Sequence, residues 1–125
     1  MLGEMTEKTV LVVDDSPISL KHASAILKGR CRVAFAKSGA MALSYLERQK
    51  PDLILLDVNM PEMDGLTVYH TLRAKAPTRD IPVLFLTGLE DEQYRDKLEG
   101  VPAAQIVHKP AQPELLLARI AAFLQ

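Results

Sequence analysis

Three short runs of this chain are apolar without interruption: Val10-Leu11-Val12-Val13, Leu53-Ile54-Leu55-Leu56 and Val83-Leu84-Phe85-Leu86. Runs of this length between turn-forming residues suit strands covered on both faces, although periodicity alone does not separate them from buried helix segments. Pro51 in front of the second run and Pro61 behind it limit any helix through that stretch and favour a strand. Cys31 to Phe35 alternates instead, with Cys31, Val33 and Phe35 on one face and Arg32 on the other, the pattern of a half-exposed strand. Ile106-Val107 is a short fifth strand, cut off by Pro110.

Between these strands the period changes to that of a helix. Ser16-Pro17 reads as an N-cap followed by proline in the first turn; Leu20, Ala23 and Leu27 then recur at helical spacing, and Gly29 is the stop. Ser38-Gly39 opens a second helix with Ala42, Leu43 and Leu46 on its buried stripe. A third is expected from about Leu66 to Ala76, with Tyr69 and Leu72 facing in and Pro77 ending it. Glu90 to Glu99 is charged and has only Tyr94 and Leu98 as an apolar pair, so a weakly held helix is expected there. The last helix follows Pro113 and carries Leu115, Leu116, Leu117, Ile120, Phe123 and Leu124.

Strands alternating with helices call for crossover connections and a parallel sheet covered on both sides. The three fully apolar runs belong inside it, and the alternating and short strands at its edges. The expected fold is therefore α/β, a doubly wound (βα)5 sandwich of the flavodoxin-like kind with strand order 2-1-3-4-5. In such sheets ligands bind beyond the carboxyl ends of the strands, at the switch point between strands 1 and 3. Asp14 and Asp15 follow strand 1, Asp57 ends strand 3, Thr87 follows strand 4 and Lys109 follows strand 5. Five polar residues converge on one rim.

Length and charge narrow the picture further. The 125 residues suffice for one domain with a real core, expected to run from about residue 8 to 124. A net charge of -1 argues against a broad nucleic-acid surface, so no direct nucleic-acid partner is expected. With Cys31 as the single cysteine, neither an intrachain disulfide nor a thiolate metal cluster is possible. No apolar run approaches the roughly 20 residues of a membrane span, and Met1 to Lys8 lacks the pattern of a secretory signal. No membrane partner and a cytoplasmic location are the expectations.

Taken singly, each rim residue has a plainer role: Asp14, Asp15 and Asp57 as capping or turn residues, Thr87 as a strand residue, Lys109 as a solvated surface lysine. Together they describe a chemistry. Three neighbouring carboxylates repel one another, and without counter-charge at least one proton affinity rises. A divalent cation relieves this, and ligands that are all oxygen suit Mg²⁺ or Mn²⁺ rather than Zn²⁺. Mg²⁺ next to an ammonium and a hydroxyl provides for phosphoryl transfer, with Asp57 as a carboxylate nucleophile that forms an acyl phosphate.

At this point the chain resembles, from about Lys8 to Leu124, the receiver domain of bacterial response regulators. The resemblance rests on Asp14-Asp15, on Asp57 within Leu-Leu-Asp-Val-Asn-Met-Pro, on Met63-Asp64-Gly65, on Thr87-Gly88 and on Lys109-Pro110. It implies that Asp57 accepts phosphoryl from a sensor histidine kinase, a histidine phosphotransfer protein or a small phosphodonor. It further implies that Asp14, Asp15, Asp57 and the Asn59 backbone carbonyl hold Mg²⁺ or Mn²⁺, with Asp15 the main direct ligand of the Asp pair. Thr87 would be the switch hydroxyl, Lys109 the phosphoryl partner, and Lys109-Pro110 a cis peptide. The output would be a repacked face made by the Glu90–Glu99 helix, the Ile106-Val107 strand and the helix after Pro113, read by an effector domain or protein. A homodimer is left open. Such a domain catalyses only its own phosphorylation and dephosphorylation and is not otherwise an enzyme.

Two positions depart from the family's usual pattern. Ile106 stands where an aromatic switch residue is common, and Ala111 where a phenylalanine usually follows Lys-Pro. The phosphorylation chemistry is expected to survive both changes, while the aromatic switch cannot work in the usual way. His22, His70 and His108 show no metal-ligand spacing and read as surface residues, and Met60 and Met63 as packing. Three rival readings fit the chain less well. A phosphatase of the haloacid-dehalogenase type needs a second acid two residues after its nucleophile, where this chain has Asn59. A flavodoxin needs a phosphate loop where Asp14-Asp15 would repel a flavin phosphate. A receiver-like binding module that is never phosphorylated fits poorly with all five rim residues being present.

Overall fold

A computed structural model describes residues 6–88, 98 and 100–124. Its sheet has five parallel strands in the order β2-β1-β3-β4-β5, the topology expected from the hydrophobic pattern. The strands are β1 (Thr9–Val13), β2 (Arg32–Ala36), β3 (Leu53–Asp57), β4 (Val83–Gly88) and β5 (Ile106–Lys109). The helices among the described residues are α1 (Pro17–Leu27), α2 (Gly39–Arg48), α3 (Gly65–Arg73) and α4 (Pro113–Phe123), with a short 3-10 turn at Ala103–Gln105. The helix expected over Glu90 to Glu99, and the Gly88 to Asp91 loop before it, lie largely outside the described residues.

Alternation along each central strand divides the core into two layers. Val10, Val12, Leu53, Leu55, Leu84 and Leu86 face α1 and α4, while Leu11, Val13, Ile54, Leu56, Val83 and Phe85 face α2 and α3. Every residue of β3 is buried. Fully burying one such aliphatic side chain contributes roughly 1.5–3 kcal/mol, so the middle of the sheet anchors the rim that follows it.

Local chemistry sets the helix ends. The Ser16 hydroxyl accepts from the Ser19 amide, Ser38 from Met41 and the Asp64 carboxylate from Thr67, each supplying an acceptor that the first turn lacks. Gly29, expected as the stop after α1, has φ +78, the left-handed region that glycine enters freely.

Several boundaries and faces differ from the sequence expectation. α3 ends at Arg73 rather than at Ala76, because the Thr78 hydroxyl donates to the Leu72 carbonyl at 2.7 Å and draws the chain into a turn. β5 extends past Val107 to Lys109. Phe35 shares the face of Cys31 and Val33, as the register of β2 on β1 shows, but it is 44% exposed, since it lies near the end of an edge strand. Leu115 is also exposed, and only Leu116 and Ile120 of α4 are fully buried.

Candidate functional site

The five polar residues anticipated at the rim all stand at the carboxyl ends of their strands. Register explains why: Val13 pairs with Leu56, Asp57 with Leu86, and Gly88 with Lys109. Asp14, one residue beyond β1, and Asp57, the last residue of β3, therefore sit at the same height on either side of the switch point. Asp57, at the end of its strand, is only 4% exposed, and Asp14 is fully buried. Asp15 is exposed. One carboxylate oxygen from each of the three lies within 4.8 Å of the others.

Backbone groups orient these carboxylates. Asp14 accepts from the Ser16 amide at 2.9 Å, which turns the chain from β1 into α1. Asp57 accepts a backbone hydrogen bond from Asn59. The loop after Asp57 is short because α3 begins almost on top of it: the Gly65 amide donates to the Val58 carbonyl at 3.0 Å. A Cβ at Gly65 would run into the Asp57 carbonyl oxygen, so only glycine lets α3 start there. Met63 packs against Gly39, where an added Cβ would lie 2.8 Å from its sulfur, and Met60 is buried; both methionines are packing residues.

Lys109 reaches into this group from β5. Its Nζ donates to Asp14 Oδ2 at 2.5 Å and pairs with Asp57 Oδ1 at 3.2 Å. A third contact, to the Ser19 hydroxyl at 3.3 Å, joins the first turn of α1 to this group, and no signal in the sequence pattern singles Ser19 out. The peptide between Lys109 and Pro110 is cis, as expected from the resemblance. Thr87 is buried, and its hydroxyl donates to the Gly88 carbonyl at 3.3 Å. Ile106 is half-buried beside Phe85 in the β4–β5 register and packs into the α2–α3 layer. His22 is exposed as expected, but its Nε2 also lies 2.9 Å from the Ala111 carbonyl and ties α1 to the turn after β5.

The charges do not balance. Burial, and then the negative charge of Asp14, push the Asp57 carboxyl up to about 7 against the opposing pull of Lys109 and the Asn59 amide. Burial pulls the Lys109 ammonium down, but the hydrogen bond to Asp14 and the charges of Asp57 and Asp14 outweigh it, and the net direction is upward. One ammonium thus faces three carboxylates. The shortfall of positive charge and the all-oxygen donor set fit a small hard divalent cation.

Comparisons with known proteins agree with this geometry. The family model described as "Response regulator receiver domain" matches residues 10–121. Among relatives, a "Probable cyclic di-GMP phosphodiesterase" of Vibrio cholerae is 39% identical over 99% of this chain and 28% of its own length. A "Probable transcriptional regulatory protein TcrX" of Mycobacterium tuberculosis is 37% identical over 94% of this chain and 50% of its own. Against these two the chain spans 28% to 50% of the relative's length. Among solved structures, the signal receiver domain of a signal transduction histidine kinase from Syntrophus aciditrophicus superposes with a TM-score of 0.85 at 31% identity, covering 94% of this chain and 89% of that one. Chemotaxis protein CheY4 of Vibrio cholerae superposes with a TM-score of 0.83 at 30% identity, covering 95% and 100%.

Proposed function

This chain belongs to the response regulator receiver domain family, and on that premise we propose that Asp57 is the phosphoacceptor of a two-component phosphorelay. The observation that carries this reading is the buried carboxylate of Asp57, held 3.2 Å from the Lys109 ammonium and within 4.8 Å of the Asp14 and Asp15 carboxylate oxygens. A sensor histidine kinase or a histidine phosphotransfer protein is the proposed donor, and an effector domain or protein is the proposed reader. Names such as phosphodiesterase and transcriptional regulatory protein among the longer relatives support an output that lies beyond a domain of this kind. No helix among the described residues is long and apolar enough to cross a membrane; a cytoplasmic setting is part of the proposal.

In the transfer step the ionised Asp57 carboxylate attacks phosphorus while the bond from phosphorus to the donor imidazole nitrogen breaks. The phosphoryl group ends as an acyl phosphate on Asp57, and the imidazole keeps the electron pair and takes a proton from water. Asp14, Asp15, Asp57 and the Asn59 carbonyl would hold Mg²⁺ or Mn²⁺, which when bound neutralises charge on the carboxylates and on the incoming group. Lys109 needs only to shift from Asp57 Oδ1 onto a phosphoryl oxygen. The Thr87 hydroxyl, held here by a long bond to the neighbouring carbonyl, is free to exchange that acceptor for a phosphoryl oxygen. Turnover is confined to the protein's own aspartyl phosphate.

Incubation with acetyl phosphate and Mg²⁺ tests the reading. One acid-stable, base-labile phosphoryl group should add by intact mass and be lost with Asp57→Asn. Stoichiometric labelling of that variant would overturn the assignment.

A further inference from the structure

The Lys109 ammonium has three hydrogens to place, and three acceptors surround it: Asp14 Oδ2 at 2.5 Å, Asp57 Oδ1 at 3.2 Å and Ser19 Oγ at 3.3 Å. The first two belong to the acidic cluster. Ser19 stands apart, in the first turn of α1, where the Ser16 hydroxyl holds its amide and fixes where its side chain starts. Behind the ammonium lies an apolar groove of about 350 Å³ between α1 and α4, lined by Ile18, Ala23, Leu86, Ala111 and Leu116 along with the serine. On that side Ser19 is the polar group of α1 that meets the ammonium.

We propose that Ser19 is a positioning residue for Lys109, holding the ammonium by its third hydrogen so that it can move between Asp57 and a phosphoryl oxygen. The inference rests on the phosphoacceptor reading and adds a residue to it. When Asp57 becomes an acyl phosphate, its Oδ1 ceases to be a full anionic partner and the ammonium must find the phosphoryl oxygen instead. Two anchors, Asp14 and Ser19, then define the pivot. With Ser19→Ala only Asp14 remains, and the shortest contact in the cluster pulls the ammonium toward the metal carboxylates and away from the incoming group. The third N–H then loses its protein acceptor and turns to water, which reaches the partly exposed ammonium but does not fix its direction.

The experiment compares wild type, Ser19→Ala and Ser19→Thr in single-turnover labelling by acetyl phosphate with Mg²⁺, followed by intact mass. Ser19→Ala should lower the labelling rate constant by about 2- to 10-fold, the size expected for one modest hydrogen bond, and Ser19→Thr should restore most of it. In a Lys109→Ala background the serine substitution should have no further effect, because the serine acts only through the lysine. The Lys109 ammonium resonance in ¹⁵N NMR should broaden or vanish in Ser19→Ala, as water gains access to it, while the urea midpoint stays close to wild type. Wild-type labelling that Ser19→Ala leaves unchanged, or an equal slowing in the Lys109→Ala background, would overturn this role for Ser19. Absence of labelling in wild type would instead overturn the phosphoacceptor reading, and this inference with it.

Discussion

Replacing Asp57 by asparagine should stabilise the metal-free protein, and by an amount that depends on pH. In the folded state the carboxyl is pushed up to about 7, first by burial and then by Asp14, from an ordinary carboxyl value of 3.8. Between those two values the folded protein keeps a proton that the unfolded chain has released. Stability therefore falls as pH rises through this window and levels off above the folded value. Each unit corresponds to about 1.36 kcal/mol. Integrating a shift of this size between pH 5 and pH 8 gives a loss of about 2–3 kcal/mol in wild type that Asp57→Asn cannot suffer. The upward shift of Lys109 acts above this window: its stabilisation is complete below the unfolded lysine value and is lost only as pH rises through the folded one. Urea unfolding of both proteins in chelator at pH 5, 6.5 and 8 measures the difference, and titrating groups remote from the site cancel. The variant should gain on wild type with each step upward in pH, and Mg²⁺ at pH 8 should close the gap by stabilising wild type selectively. A gap independent of pH, or a wild type more stable than the variant at pH 8, would show that Lys109 already neutralises Asp57 fully and would refute the charge imbalance.

Further expectations follow from single residues. Gly65→Ala must push α3 away from the Asp57 carbonyl and should cost about 2 kcal/mol or more in urea unfolding, with slower labelling by acetyl phosphate; a neutral result would mean that the loop adjusts freely. Asp15→Asn removes an exposed carboxylate of the cluster and should weaken Mg²⁺ binding, read by fluorescence or calorimetry, and phosphorylation together; a fall in one alone would separate the two roles. Ile106→Tyr places a ring beside Phe85 at the edge of the sheet and should alter effector binding more than the labelling rate, with the reverse order counting against a switch at that position.

Much of this protein was legible in its sequence because its signals are local. Four-residue apolar runs ending in Asp14, Asp57 and Thr87 already imply central parallel strands, and parallel strands place all their carboxyl ends at one rim. The order of the sheet follows from which runs are fully apolar and which alternate. What depends on distances across the sheet was beyond reach. The end of α3 is set by a hydroxyl six residues away from the carbonyl it caps, and Phe35 is exposed because an edge strand outruns its cover. Sequence order also hides why Gly65 is needed: the Asp57 carbonyl blocks a side chain there only once α3 has docked. The clearest case is Lys109. Its position after a strand marked it as a partner for the acidic rim, but the identity of its three acceptors, Ser19 among them, depends on the ends of β1, β3 and β5 and the first turn of α1 meeting at one rim. Those contacts join residues separated by as many as 95 positions, and only the folded chain brings them within hydrogen-bonding range.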